Sequence, residues 1–220
     1  MDERKMSEAW RMFRIQSELV DGIEKLAKLG QAVSIYGSAR TKEGSFYYQQ
    51  AQELGRLLAS NNLAVISGGG PGIMEAVNRG AYPEAGASVG LNISLADDEP
   101  NNLYQDLSLS FRYFFVRKFM FVKYAVGFVI FPGGFGTLDE LFEALTLVQT
   151  EKVGAFPIVL VGEEYWGGLY GWMQQTMQWE GCVDKKDLEL LQIVGSAEQA
   201  TKIILDHTAS IKAIPGSPVV

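Results

Sequence analysis

Two glycine-rich segments carry the residues best suited to chemistry in this chain. They are Ser67-Gly68-Gly69-Gly70-Pro71-Gly72-Ile73-Met74-Glu75 and Pro132-Gly133-Gly134-Phe135-Gly136-Thr137-Leu138-Asp139-Glu140. Each follows a short apolar run and opens a stretch with helical spacing. Glycines let the backbone approach a phosphate, and free N–H groups at a helix start favour an anion. Neither segment is a GxxxxGK[ST] phosphate loop. Neither fits GxGxxG, because after Gly68 and Gly70 the third glycine position holds Ile73. The alternative for either segment is a tight turn without a ligand.

Glu140 stands one turn beyond PGGFG, beside any anion that loop would hold. Two structural readings compete with a functional one. Thr137-Leu138-Asp139-Glu140 fits a capping box, in which Thr137 caps the helix and Glu140 reaches back. The apolar stripe Leu138, Leu141, Phe142 and Leu145 also leaves Asp139, Glu140 and Glu143 on the opposite, solvated side. In FRYFFVRKFMFVKYA, residues 111–125, phenylalanines surround most of a helical wheel, which predicts a largely buried helix. Arg117 then falls beside Tyr113, Met120 and Tyr124, and Lys118 in the most apolar sector. Cations so placed need an anionic ligand or an internal carboxylate. His207 reads as a surface or helix-end residue and Cys182 as an ordinary buried or loop thiol. Tyr165, Trp166, Tyr170, Trp172 and Trp179 read as packing or a dimer face, without a site role.

The elements that must position these groups follow from periodicity. Apolar runs at 32–36, 63–66, 87–93, 126–131 and 157–161 read as buried strands, with helical spacing between them. The alternation implies an α/β fold: a Rossmann-like, doubly wound, mostly parallel sheet with helices on both faces. In such sheets ligands bind at the carboxyl ends of strands. Residues 7–29 form an amphipathic helix ending at Gly30, an N-terminal extension (1–30) placed to cover a sheet edge or a partner subunit. The segment 212–220, with two prolines, reads as a fraying tail. Asp97, Asp98 and Glu99 read as a lid or a solvated turn. No composition shift divides the chain, so 1–220 is expected to be one domain.

Composition narrows the function. The 220 residues are 47% apolar with a net charge of −7, which opposes broad attraction to nucleic acid or an anionic membrane. MDERKMSEAW lacks a leader pattern, and no run of about 18 apolar residues occurs, so a cytoplasmic location is expected. One Cys and one His leave no disulfide and no His- or Cys-based metal cage.

Together SGGGPGIMEA, FRYFFVRKFMF and PGGFGTLDELFE resemble the Lonely Guy family of phosphoribohydrolases, often mislabelled lysine decarboxylases, from about residue 30 to 205. PGGxGTxxE is matched in full by Pro132 to Glu140, and the preceding Arg-Lys pair by Arg117 and Lys118. GGGxxGxM is matched by Gly68, Gly69, Gly70, Gly72 and Met74, with only Pro71 between Gly70 and Gly72. The resemblance implies a homodimer that cleaves the N-glycosidic bond of a cytokinin or adenine-type nucleoside 5′-monophosphate. Arg117 and Glu140 would be catalytic. Gly69, Gly70, Gly72, Met74, Lys118, Gly133, Gly134, Gly136 and Thr137 would bind an AMP-like substrate and its phosphate. An oxocarbenium-like transition state suits a fixed carboxylate and needs no metal or redox cofactor. No lysine stands out as a Schiff-base candidate. The alternative is a nucleotide-binding module that regulates a partner without hydrolysis.

Overall fold

In a computed structural model, residues 8–94 and 101–212 are described. Asp97, Asp98 and Glu99, and the tail after Lys212, lie outside them. Among the described residues the order is α1 (Glu8–Leu26), β1 (Ala32–Tyr36), α2 (Phe46–Ser60), β2 (Ala64–Ser67), α3 (Ile73–Ala81), β3 (Ser88–Ile93) and β4 (Leu107–Phe111). Then follow α4 (Phe114–Lys123), β5 (Ala125–Ile130), α5 (Phe135–Gln149), β6 (Ile158–Val161) and α6 (Glu163–Trp172). A π-helical stretch (Met173–Gln178), α7 (Lys185–Leu188), β7 (Leu191–Val194) and α8 (Ala197–Lys212) complete the chain.

The sheet order is β4-β3-β2-β1-β5-β6-β7, and every pairing is parallel. Parallel strands alternate their side chains between two buried faces, so their runs are apolar throughout. In β1, Ala32 and Tyr36 enter a core with α1, α4, α5 and α6, while Val33 and Ile35 enter the core with α2, α3 and α8. The doubly wound expectation holds, and the sheet is wholly parallel. β4 and β7 join the five strands read from the sequence. They are edge strands with half-buried patterns, so LSLSF and LQIV lack a continuous apolar run.

The chain leaves β1 toward β4 and returns through β5 to the other side of β1. The switch point therefore lies between β1 and β5, the place where open sheets of this kind offer a ligand crevice. The β1–α2 turn there, beginning Gly37-Ser38, escaped the motif reading. Its only signal was a Gly-Ser pair after the apolar run AVSIY.

Two helices depart from expectation. α1 ends at Leu26, before Gly30, and packs on α4 through Gly22 and Met120. Glu18 accepts the N–H groups of Arg112 (3.2 Å) and Tyr113 (3.3 Å) ahead of α4, while Trp10 (66% exposed) and Phe13 (63%) stay outside the fold. α4 starts at Phe114 because Phe111 belongs to β4. Only one of its four phenylalanines is buried: Phe121 is 2% exposed, while Phe114, Phe115 and Phe119 are about half exposed. Among the described residues, no helix is long and apolar enough to cross a membrane.

Candidate active site

The PGGFG loop leaves β5 and runs straight into α5. Helix α5 begins at Phe135, with Gly134 in the cap position and no side-chain cap. The expected capping box is absent, because the helix starts two residues before Thr137 and its first intrahelical hydrogen bond runs from Leu138 N–H to Gly134 O (3.0 Å). The Thr137 side chain instead packs over Gly133, where a Cβ would overlap Thr137 Oγ1. The N–H and the hydroxyl of Thr137 have no partner among the described residues, so both are open to a ligand.

Three successive carbonyls of the loop are held by the protein. Ser38 N–H donates to Pro132 O (3.0 Å), Tyr165 Oη donates to Gly133 O (2.6 Å), and Leu138 N–H to Gly134 O. Among the described residues, none accepts a hydrogen bond from the N–H of Gly134, Phe135, Gly136 or Thr137. Gly134, Phe135 (92% exposed) and Gly136 face solvent. Four unmatched donors at a helix start, on the positive end of its dipole, are an arrangement able to take an anion. Tyr165 thus belongs to this site, contrary to the packing role read from the sequence.

Glu140 is half-buried, not on a solvated face. Burial pushes its carboxyl up to about 7, with Glu143 and Asp139 adding and Lys118 and Arg117 opposing. A rise of about 1.5 Å per residue puts it about 6 Å along α5 from Gly136. Lys118 resolves as the internal ion pair: its Nζ lies 2.9 Å from Asp139 Oδ2 and 3.1 Å from Glu143 Oε2. The second contact is close but not aligned as a hydrogen bond. Burial opposes the Lys118 charge, yet Asp139, Glu140 and Glu143 together raise its pKa. Its charge is committed to α5 rather than left for a phosphate.

Arg117 reaches inward from α4 as the sequence implied. Its Nε donates to Leu91 O (2.7 Å) and its Nη2 to Gly68 O (3.3 Å), and its guanidinium sits 5.4 Å from the Phe121 ring centre. Burial lowers its pKa, opposed by Glu140 and Tyr36. Tyr36 ends β1 and packs on the same Phe121 ring at 5.1 Å. Burial together with Glu140 and Glu143 raises its phenol well above the ordinary value, so it remains a neutral donor in this cluster. Tyr36 escaped the sequence reading because a tyrosine inside an apolar run looks like core.

The first glycine loop is different. Gly69 N–H donates to Ser67 Oγ (3.0 Å), and Gly69 O accepts from Asn102 N–H (2.8 Å) and Gln105 Nε2 (3.0 Å). Gly70 O accepts from Asn102 Nδ2 (3.1 Å), and the first N–H of α3, on Ile73, goes to Ser38 O (3.0 Å). Gly69 therefore has no N–H left for a phosphate, which corrects its expected role. Gly69 and Gly72 have φ of +73° and +68°, a region that favours glycine. At Gly72 a Cβ would also strike Ser38 O. Met74 Sδ and Arg117 Nη2 both occupy the space that a Cβ on Gly68 would fill, which places Met74 and Arg117 on one wall.

Cys182 is exposed, and His207, half-buried within α8 against Phe156, is far along the chain from these groups. Among the described residues, no group of three or more His, Cys, Asp or Glu could hold a metal ion.

A family model described as "Possible lysine decarboxylase" matches residues 74–204, more than half of the chain, and takes in Arg117, Lys118 and Pro132 to Glu140. The chain belongs to this family, the Lonely Guy family. One relative is the Arabidopsis thaliana cytokinin riboside 5′-monophosphate phosphoribohydrolase, 27% identical over 78% of this chain and 80% of its own length. Another is the Escherichia coli pyrimidine/purine nucleotide 5′-monophosphate nucleosidase, 30% identical over 59% of this chain. The chain spans only 30% of that protein, and 40% of a bifunctional cytokinin biosynthesis protein from Fusarium pseudograminearum that is 24% identical over 79% of this chain. Among solved structures, the molybdenum cofactor carrier protein of Chlamydomonas reinhardtii superposes with a TM-score of 0.59 at 18% identity, over 82% of this chain and 99% of its own. At that identity the likeness concerns the fold alone.

Proposed function

We propose that this Lonely Guy family member is a nucleoside 5′-monophosphate phosphoribohydrolase. Water adds to C1′ of the ribose, the C1′–N bond breaks, and the base departs with a proton, leaving ribose 5-phosphate. The carrying observation is the set of four unmatched N–H groups at the start of α5, one turn from a half-buried carboxylate. The N–H groups of Gly134, Gly136 and Thr137 take the phosphate, with Gly133 giving Thr137 its seat. Gly70, Gly72 and Met74 contribute the opposite wall. Lys118 acts on the substrate through the charge of α5.

Glu140, its pKa near neutrality, faces the sugar, where the carboxylate stabilises the cationic ring and receives a proton from the attacking water. Arg117 keeps its charge and offsets the negative charge of the phosphate or the departing base. The relatives are named for cytokinin riboside, purine and pyrimidine 5′-monophosphates, and the substrate of this chain is a cytokinin or adenine-type nucleotide. The protein acts as one domain, in the cytoplasm, on a small nucleotide, since a net charge of −7 opposes nucleic acid and membranes.

Chromatography after incubation with AMP, isopentenyl-AMP and a pyrimidine monophosphate tests the reaction. Base release falls about 100-fold or more in Glu140→Gln and in Arg117→Ala. Undiminished release in Glu140→Gln removes that residue from the mechanism. Nucleotide-induced stabilisation without any base released by the wild type establishes the non-hydrolytic binding module instead.

The half-exposed Phe114, Phe115 and Phe119, with Trp10 and Phe13 beyond them, support a homodimer, because apolar surface of this kind marks an interface. Light scattering at micromolar concentration gives twice the monomer mass; a monomer there refutes the dimer.

A further inference from the structure

We infer that Tyr165 is a positioning residue that aims the phosphate-binding loop, an inference that rests on the reading of α5 as the phosphate site. Tyr165 lies in the first turn of α6, after the elbow at Gly162, whose φ is +113°. Its neighbour Trp166 is fully buried and donates its indole N–H to Val161 O (3.2 Å), and the two rings meet edge-to-face at 4.9 Å. The root of Tyr165 is therefore fixed to the end of β6, while its hydroxyl reaches across to Gly133 O at 2.6 Å.

A trans peptide holds its C=O and the next N–H antiparallel in one plane. Drawing Gly133 O toward Tyr165 turns the N–H of Gly134 the other way, away from α6. Gly133 and Gly134 have no side chains to hold this plane, and nothing lies within 4 Å of a Cβ built at Gly134. On the other side, Ser38 N–H fixes the preceding carbonyl, Pro132 O. The loop is thus pinned from β1 and from β6, the neighbours of β5, and Tyr165 supplies the second pin. Without its hydroxyl the Gly133–Gly134 peptide, lying between the held carbonyls of Pro132 and Gly134, loses the one hydrogen bond that sets its own plane, and the donor at Gly134 is aimed less firmly. Since that set binds the phosphate alike in the ground and transition states, Tyr165 governs affinity more than turnover.

The test is Tyr165→Phe, which keeps the ring and removes only the hydroxyl. Calorimetry with ribose 5-phosphate is expected to show binding weakened about five- to tenfold, the size of one neutral hydrogen bond. KM for AMP rises by the same factor, kcat changes less than twofold, and release of base from adenosine, which has no phosphate, is unaltered. A merely structural role would shift adenosine and AMP alike. Wild type and Tyr165→Phe binding ribose 5-phosphate equally overturns the inference while leaving the function intact. Failure of the wild type itself to bind ribose 5-phosphate overturns both, and binding without hydrolysis of AMP leaves the inference to be decided by the calorimetry.

Discussion

The two glycine-rich loops look alike in sequence and differ in which of their amides the protein itself engages. In SGGGPG the carbonyls of Gly68, Gly69 and Gly70 accept from Arg117, Asn102 and Gln105, and the N–H of Gly69 is also taken. Beneath it lies a buried polar network. Asn78 accepts from Ser67 Oγ (2.5 Å) and Asn102 Nδ2 (3.1 Å) and donates to Ser88 Oγ (2.9 Å) and Val89 O (3.2 Å). Such a network is stable when its members are satisfied, so this loop serves as a scaffold for Arg117. In PGGFG the carbonyls are equally engaged, and among the described residues the N–H groups of Gly134, Phe135, Gly136 and Thr137 are all open, whereas the first loop has spent those of Gly69 and Ile73 and keeps those of Gly70, Gly72 and Met74. The lesson is that a glycine run marks where backbone must come close to something. Only the hydrogen-bond ledger of its amides says whether that something is protein or ligand.

The same substitution should therefore act oppositely in the two loops. Gly69→Ala sets a Cβ into Asn92 Oδ1 at a positive φ, so it costs about 3 kcal/mol or more in stability, read by denaturant unfolding. Gly136→Ala meets nothing within 4 Å and lies inside α5, where alanine favours a helix by roughly 0.5–1 kcal/mol. Its unfolding midpoint holds or rises, while ribose 5-phosphate affinity falls severalfold because the methyl occupies the open donor face. Equal stability losses in both variants would erase the distinction.

A smaller effect sharpens the contrast through pH. Glu140 has a folded pKa of about 7 against an ordinary 4.5. Between those values the folded protein keeps a proton that the unfolded chain has released, so stability falls as pH rises through this window. Glu140→Gln removes the penalty. It should unfold later than wild type at pH 8, by an amount on the order of 1–2 kcal/mol after allowing for partial exposure, and show no such gain at pH 4.

Much of this was legible from residue order. The central strands announced themselves as apolar runs, and Arg117 was read as an inward cation from its place on the wheel. The edge strands were hidden because LSLSF and LQIV are covered on one side only. Drawing a single helix through Phe111 merged the end of β4 with α4, which made its phenylalanines look enclosed. The Thr137 capping pattern misled for a related reason: sequence shows the cap residues but not where the chain first turns. Since Gly134 can occupy the cap position itself, α5 starts early and leaves Glu140 without a capping duty. Tyr36, Ser38 and Tyr165 could not be found by local pattern, since each matters through a partner about 30 or more residues away.

The parallel pairing of β1 with β5 has a kinetic consequence. Ala32 lies beside Ala125 and Tyr36 beside Ile130, so this contact closes a loop of more than ninety residues. Contacts of such span are slow to form, because chain entropy is lost before pairing returns anything. Arg117, Gly134, Glu140 and the β1–α2 turn meet only after that closure. Ligand binding should therefore report the last stage of folding, and a chain emerging from synthesis has no partial site until β5 has docked.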